Sequence, residues 1–223
     1  MELGNGDMLT DMPVSYIKVG RETVKAESDS DNLSGYIIRK WSGYISPSKG
    51  NVEIVNDHDV IGWGGLTLQY MEDVDKVGSS ENGISISRRL YRVDEEGASR
   101  TLHEITEEDV LQRGDRVRVR MELSCDRNLE YVQVKDMRPA SFEPVSTNAG
   151  FVYSPDGIIR AYTVPGNASQ MFYIDRIERG RYLLEYDVYA EQSGHFASGT
   201  VSAQCMYAPE FRSTAGNVYV DVE

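Results

Sequence analysis

Arg116-Val117-Arg118-Val119-Arg120-Met121-Glu122-Leu123 decides the fold. Four apolar side chains fall on one phase and four charged ones on the other. A period of two places them on opposite faces of a strand, one buried and one wet. That is the pattern of an antiparallel sheet with one solvated face. Working outward, Tyr131-Val132-Gln133-Val134-Lys135 repeats it, as do the runs 182–189 and 200–207, and Val218, Val220 and Val222 share a phase. Ile84 and Ile86 begin a further strand that continues through Leu90, Tyr91 and Val93. Tyrosine and valine are abundant, as strands prefer. One helical turn is expected at Thr106-Glu107-Glu108-Asp109-Val110-Leu111, with Thr106 as cap and Gly114 as stop. Shorter strands are expected at 14–19, 35–41, 52–55 and 66–70, separated by the turn-rich stretches 28–32 and 46–51. The expected fold class is all-β: an antiparallel β-sandwich preceded by a smaller β segment.

The boundary is expected at Val77-Gly78-Ser79-Ser80-Glu81-Asn82-Gly83, which is small and polar. This divides the 223 residues into a tail (1–13), a β segment (14–77), a linker (78–83) and a sandwich (84–223). The net charge is −13, from 23 basic and 36 acidic residues. Such an excess of acid argues against a nucleic-acid footprint and against an anionic membrane surface. The acidity is spread along the chain, with no acidic tail. From residue 81 onward, 15 of 16 basic residues are Arg, which points to planar, multi-bond pairing with carboxylates. No apolar run is long enough to cross a bilayer as a helix. The start, Met1-Glu2-Leu3-Gly4-Asn5-Gly6-Asp7, does not carry a signal-peptide pattern. Cys125 and Cys205 lie on apolar phases, so two buried thiols are expected rather than a bridge, which stays open.

Chemistry-bearing patterns are sparse. Gly-x-Ser-x-Gly is missing, and Ser46-Pro47-Ser48-Lys49 matches Ser-x-x-Lys only in a turn. His58, His103 and His195 share no motif. Gly62-Trp63-Gly64-Gly65 precedes a strand rather than a helix, so it offers no phosphate cradle. The carboxylate runs Glu72/Asp73/Asp75, Glu95/Glu96 and Glu107/Glu108/Asp109 are local, whereas a glycosidase needs two acids facing across a cleft. Asp29/Asp31 and Asp57/Asp59 lack the calcium-loop spacing. Asn167-Ala168-Ser169 is a glycosylation sequon. No cofactor, metal or catalytic residue is expected.

Three stretches stand apart: Asp126-Arg127-Asn128-Leu129-Glu130-Tyr131-Val132 with Arg138-Pro139-Ala140-Ser141-Phe142-Glu143-Pro144; Phe172-Tyr173-Ile174-Asp175 with Arg179-Gly180-Arg181-Tyr182; and Met206-Tyr207-Ala208-Pro209-Glu210-Phe211. With Gly114-Asp115-Arg116-Val117 before them, their order and spacing resemble the carboxy-terminal macroglobulin domain of bacterial alpha-2-macroglobulins. Trp63-Gly64-Gly65 and Gln69-Tyr70-Met71-Glu72-Asp73 resemble the returning half of that family's complement-type β domain. The flavour is of Bacteroidetes-type members. The resemblance implies a macroglobulin or fibronectin-like sandwich and a non-catalytic module of an endopeptidase inhibitor, a trap that holds proteases. It implies Asp126, Arg127, Glu130, Tyr131, Arg138, Pro139, Phe142, Glu143, Pro144, Asp175, Arg179, Gly180, Tyr207, Ala208, Pro209 and Glu210 as structural or interdomain positions. It implies the remaining domains of a macroglobulin body as partners, with target proteases met indirectly. Neither a bait region nor the family's Cys-x-Glu-Gln thioester is recognisable, since Glu191-Gln192 has no cysteine two residues before it. A place in the periplasm or cell envelope, within a longer exported chain, follows from the same resemblance. The alternative is a free-standing envelope sandwich that binds a protein or glycan through aromatics such as Trp41, Trp63, Tyr153 and Tyr162.

Overall fold

A computed structural model describes residues 16–24, 38–55, 65–69, 71–97 and 99–223. The expected tail 1–13, the 28–32 turn, the Asp57/Asp59 pair, His58 and Trp63 lie outside the described residues. The chain divides into two compact units, Met1–Gln69 and Tyr70–Glu223.

In the first unit, β1 (Tyr16–Val19), β2 (Glu22–Val24) and β3 (Val52–Val55) form an antiparallel sheet in the order β2-β1-β3. Gly20 turns the chain between β1 and β2 with φ +63°, and a side chain there would strike the Ser48 carbonyl. Only glycine fits that close approach. Residues 38–41 and 66–69 are not strands, contrary to expectation. Trp41 instead lies along the surface, its indole N–H donating to Glu22 at 2.9 Å under the Lys49 ammonium.

The second unit is nearly all antiparallel. Its strands are β4 (Ser80–Asn82), β5 (Ile84–Glu96), β6 (Ser99–Glu104), β7 (Val110–Leu111), β8 (Arg116–Cys125), β9 (Leu129–Met137), β10 (Phe142–Pro144), β11 (Gly150–Tyr153), β12 (Arg160–Pro165), β13 (Ser169–Ile177), β14 (Gly180–Ala190), β15 (Gly194–Ala197), β16 (Val201–Cys205), β17 (Arg212–Ala215) and β18 (Tyr219–Val222). One sheet runs β10-β14-β8-β5-β6 and the other β11-β12-β13-β9-β16-β17-β4, with a small β15-β18-β7 sheet beside them. The two large sheets share one core: Val117, Val119, Met121 and Leu123 of β8 are at most 1% exposed, as are Val132, Val134 and Phe172. The chain is therefore an all-β sandwich. Alternation places each apolar set inside and each charged set outside.

Two further local expectations are not met. Residues 80–82, within the stretch read as a linker, form β4 and pair with Arg212–Thr214. Edge pairing satisfies a polar stretch that composition alone marks as loop. The turn at Thr106 does not grow into a helix. The Asp109 carboxylate folds back to accept the Thr106 amide at 2.8 Å and its hydroxyl at 2.7 Å. The chain then enters β7, parallel to β18. One turn is too short to nucleate a helix against that pairing.

On the outer face of the five-stranded sheet, Arg116, Arg118 and Arg120 meet Asp187 and Glu185 of β14. Arg116 and Arg118 reach Asp187 at 2.6 and 2.8 Å, and Arg120 reaches Glu185 at 2.5 Å. The arginine-rich pairing expected from composition is this cross-strand ladder.

Candidate functional site

The sixteen positions singled out in the sequence separate into two groups, at opposite ends of β9. At the first end, Asp126 and Arg127 form the β8–β9 turn. Arg127 donates to Asp126 at 2.7 Å and lies 4.8 Å from the Phe211 ring. That hydrogen bond holds the Asp126 carboxyl below the usual aspartate range. Phe211 presses on Gly83, where an added Cβ would sit 2.8 Å from the ring. The turn from Tyr207 to Glu210 is closed by Phe211 N–H donating to the Ala208 carbonyl at 2.9 Å, and Asn82 donates to the Glu210 carbonyl at 2.8 Å. The Met206 amide donates to the Tyr131 carbonyl at 2.9 Å. The Arg179 amide donates to Asn128 at 2.9 Å, bringing Arg179 and Gly180 to the same end. Exposed Glu130 and Asp175 lie on the neighbouring strands β9 and β13.

At the apex of this end, Tyr131 and Tyr207 meet edge to face, 5.1 Å between centroids. Tyr131 is 50% exposed, Tyr207 79% and Met206 48%. Tyr131 also holds φ +54°, the only non-glycine residue with positive φ among those described. A tyrosine in that region carries strain, and such strain gathers where a side chain must be held in a set direction. β9 and β13 slip phase together here: Leu129 and Val132 are buried with two exposed residues between them, opposite Ile177 and Ile174. The paired slip turns Tyr131 outward. Beneath it lie the two cysteines, both free and buried. Cys205 donates weakly to the Glu130 carbonyl, and burial pushes the Cys125 thiol up to about 11. The expected buried thiols are present.

The other end is interior. Arg138 is buried and donates to the Gly166 and Asn167 carbonyls at 2.5 and 3.2 Å, clamping the β12–β13 turn. Pro139 opens a turn closed by the Phe142 amide, and Phe142 enters the core. Glu143 faces solvent and Pro144 lines a cleft. Beside this clamp sits a group the sequence reading missed. Arg88 of β5 donates to the Asp136 carboxylate of β9 at 2.6 Å, and the Tyr186 hydroxyl of β14 donates to the same carboxylate at 2.7 Å. Arg88 also donates to the Met137 and Gly199 carbonyls at 3.0 and 2.8 Å. The Arg88 and Asp136 side chains are 2% and 1% exposed, so this bridge joins the two sheets through the core. Burial pushes the Asp136 carboxyl up while Arg88 and Tyr186 pull it back, and burial raises the Tyr186 hydroxyl well above its usual range. A signal was available: Arg88 follows Ile84 and Ile86 on the apolar phase, and Asp136 follows Val132 and Val134 on theirs.

The described residues contain no cluster of His, Cys, Asp or Glu able to hold a metal. His195 contacts Asp221 at 2.6 Å and stacks on Tyr219, and His103 contacts Asp94 at 3.1 Å. Among the described residues, the polar partners of these two imidazoles are carboxylates rather than serine or cysteine. What the first end offers is a projecting aromatic surface on a rigid turn, suited to docking.

The profile of the bacterial alpha-2-macroglobulin MG10 domain matches residues 83–210. The chain belongs to the bacterial alpha-2-macroglobulin family. No curated protein matches it. Among solved structures, it is similar to trypsin-activated alpha-2-macroglobulin from Escherichia coli, with 16% identity, TM-score 0.52, and coverage of 66% of this chain and 11% of that one. It is similar to native Escherichia coli alpha-2-macroglobulin from domain MG7 to the C-terminus, at 14% identity and TM-score 0.52, over 96% of this chain and 34% of that one. It is similar also to Salmonella alpha-2-macroglobulin reacted with methylamine, at 14% identity and TM-score 0.51, over 95% and 13%. At these identities the likeness concerns fold. The chain spans about a tenth to a third of the length of these relatives, and within it the MG10 match contains both ends of β9.

Proposed function

We propose that this chain is a non-catalytic C-terminal module of an alpha-2-macroglobulin-type endopeptidase inhibitor in the bacterial periplasm or envelope. Its first unit is the returning half of a complement-type β domain, and its second is the terminal macroglobulin sandwich. In this reading the chain itself holds neither bait region nor thioester. Its work is to dock on the rest of the body, shielding the thioester-bearing domain. The observation that carries the reading is the MG10 match over 83–210, whose motif residues raise Tyr131, Met206 and Tyr207 into solvent on a braced turn. Exposed aromatics on a rigid support are the usual anchors of a protein interface.

Two measurements test this. Mixed with trypsin and a large protein substrate, the chain alone is expected to leave proteolysis unchanged; stoichiometric inhibition contradicts the module reading. Titrated against the isolated thioester-bearing domain of a bacterial alpha-2-macroglobulin, the chain is expected to bind, with Tyr131→Ser/Tyr207→Ser weakening binding about tenfold or more, as for paired interface anchors. Equal binding by that variant removes the apex from the interface.

A further inference from the structure

β14 is paired along its length on one side only. β8 covers Gly180–Tyr189, while on the other side β10 covers just Val188–Ala190. Pairing there ends with the Val145 amide donating to the Asp187 carbonyl at 3.0 Å. That bond sets the parity of the strand. Asp187 turns its backbone groups toward the β10 side, so Glu185 and Leu183, two and four residues earlier, turn theirs the same way. Among the described residues, neither meets a backbone partner on that side.

Past Pro144 the chain leaves this sheet for β11 in the other one, and a cleft of about 600 Å³ opens beside Glu185, Tyr186 and Asp187 where the edge parts. Phe172, Tyr186 and Thr163 line its depth. Val145, Phe151 and Tyr153 form its rim, 42%, 60% and 69% exposed. Natural sheet edges are blunted by lysine, proline, bulges or a covering element. The stretch Leu183-Leu184-Glu185-Tyr186 has no lysine or proline, and no strand among the described residues covers it.

We propose that the open β14 edge takes up an extended peptide as an added strand, with alternate apolar side chains entering the cleft over Phe172 and Tyr186. A peptide is the occupant because only another backbone offers donors and acceptors at the repeat of Leu183 and Glu185. Its side chains alternate apolar and neutral polar, because the charges beside the edge already have partners. Arg116 and Arg118 are bound by Asp187, and Glu185 by Arg120. The site lies away from the Tyr131–Tyr207 apex and stands or falls independently of the module reading.

The probe is acetyl-Lys-Val-Ser-Val-Thr-Val-Lys-amide, titrated into the full chain beside a version N-methylated at the amides that would face β14. The parent peptide is expected to bind and to slow hydrogen exchange at the Leu183 and Glu185 amides. The N-methylated version is expected to bind about tenfold more weakly, the loss of one or two net hydrogen bonds. Phe151→Ser, at an exposed position, is expected to weaken binding severalfold while leaving the melting temperature in place. Equal binding by both peptides, protection confined to other strands, or no binding at millimolar peptide overturns the proposal. So does protection of Leu183 and Glu185 that rises with chain concentration alone, which makes a second copy the occupant.

Discussion

At one end β9 sends Asp136 and Arg138 into the interior; at the other it holds Tyr131 out in solvent beside Tyr207. The MG10 match runs through both ends, and burial separates them. Buried charged groups are costly unless hydrogen-bonded, so Asp136 acts as a staple to Arg88 of the facing sheet and Arg138 as a clamp on the β12–β13 turn, each guanidinium leaving only its Nε unpaired. Exposed aromatics contribute little to their own fold and are free to contact something else. Substitutions at the two ends should therefore differ in kind.

The largest effect is expected at Asp136. Asp136→Ala strands the buried Arg88 guanidinium and should cost about 3–5 kcal/mol of stability. Urea unfolding at pH 7 measures it. Arg88→Met with Asp136→Leu should recover much of that loss, because an apolar pair of similar size removes both desolvated charges. A loss below about 1 kcal/mol for Asp136→Ala would erase the distinction between the ends. Next comes Arg138→Ala, expected to cost about 3 kcal/mol, since a charged donor leaves the Gly166 and Asn167 carbonyls. Lysine should recover only part, lacking the forked geometry.

Beneath the exposed end, the cysteines report whether it is rigid. With Cys125 pushed to about 11 by burial, first of all, and by the neighbouring Cys205 and Asp126, its thiolate is scarce at neutral pH. Alkylation in the native state should be at least about a hundredfold slower than in urea, followed by mass spectrometry. Fast native labelling would mean that the apex opens readily and that its strain does not hold Tyr131 in place.

How much of this was legible follows from what each side chain does to the alternation. β8 reads plainly because every inward residue is apolar and every outward one charged or polar, and β14 nearly so, with Leu183 the one aliphatic residue on its outward phase. Arg88 and Asp136 break the pattern on the inward phase. Each looks like noise alone, and only the fold shows that they face one another across the core. The slip at Glu130–Tyr131 was hidden for the opposite reason: its partner slip at Asp175–Arg176 lies far along the chain and becomes visible only when β9 and β13 are paired. The apex could be named from its motif, but not its exposure, which depends on that slip. The short strands expected at 35–41 and 66–70 rested on composition without sustained alternation, and their described residues are not strands.

Between the two extremes lies the outer ladder. Burial works to raise the Asp187 pKa, but hydrogen bonds from Arg118 and Arg116 outweigh it and hold the carboxyl below the ordinary range. A folded-state value below the unfolded one, about 3.9, adds stability that is complete above that pH and is lost as pH falls through the folded value. Asp187→Asn should cost about 1 kcal/mol at neutral pH, as for a partly exposed pair. The gap between variant and parent should close in acid, read by unfolding midpoints from about pH 5 down to pH 2. A gap that stays constant would assign the cost to packing instead.

The smallest effect on stability belongs to the apex. Tyr207 is 79% exposed, so little apolar surface returns to water on truncation. Its edge-to-face contact with Tyr131 is worth about 0.5–1.5 kcal/mol in a buried pair and less in solvent. Tyr207→Ser should thus shift stability by under about 1 kcal/mol. Tyr131→Asn should do no worse, because asparagine tolerates positive φ and relief of strain offsets the lost ring contact. If either variant unfolds the domain, the aromatics are staples like Asp136 and the apex is not a docking surface. If both fold normally and lose binding to the thioester-bearing domain, then the strain at Tyr131 is kept for the interface rather than for the fold.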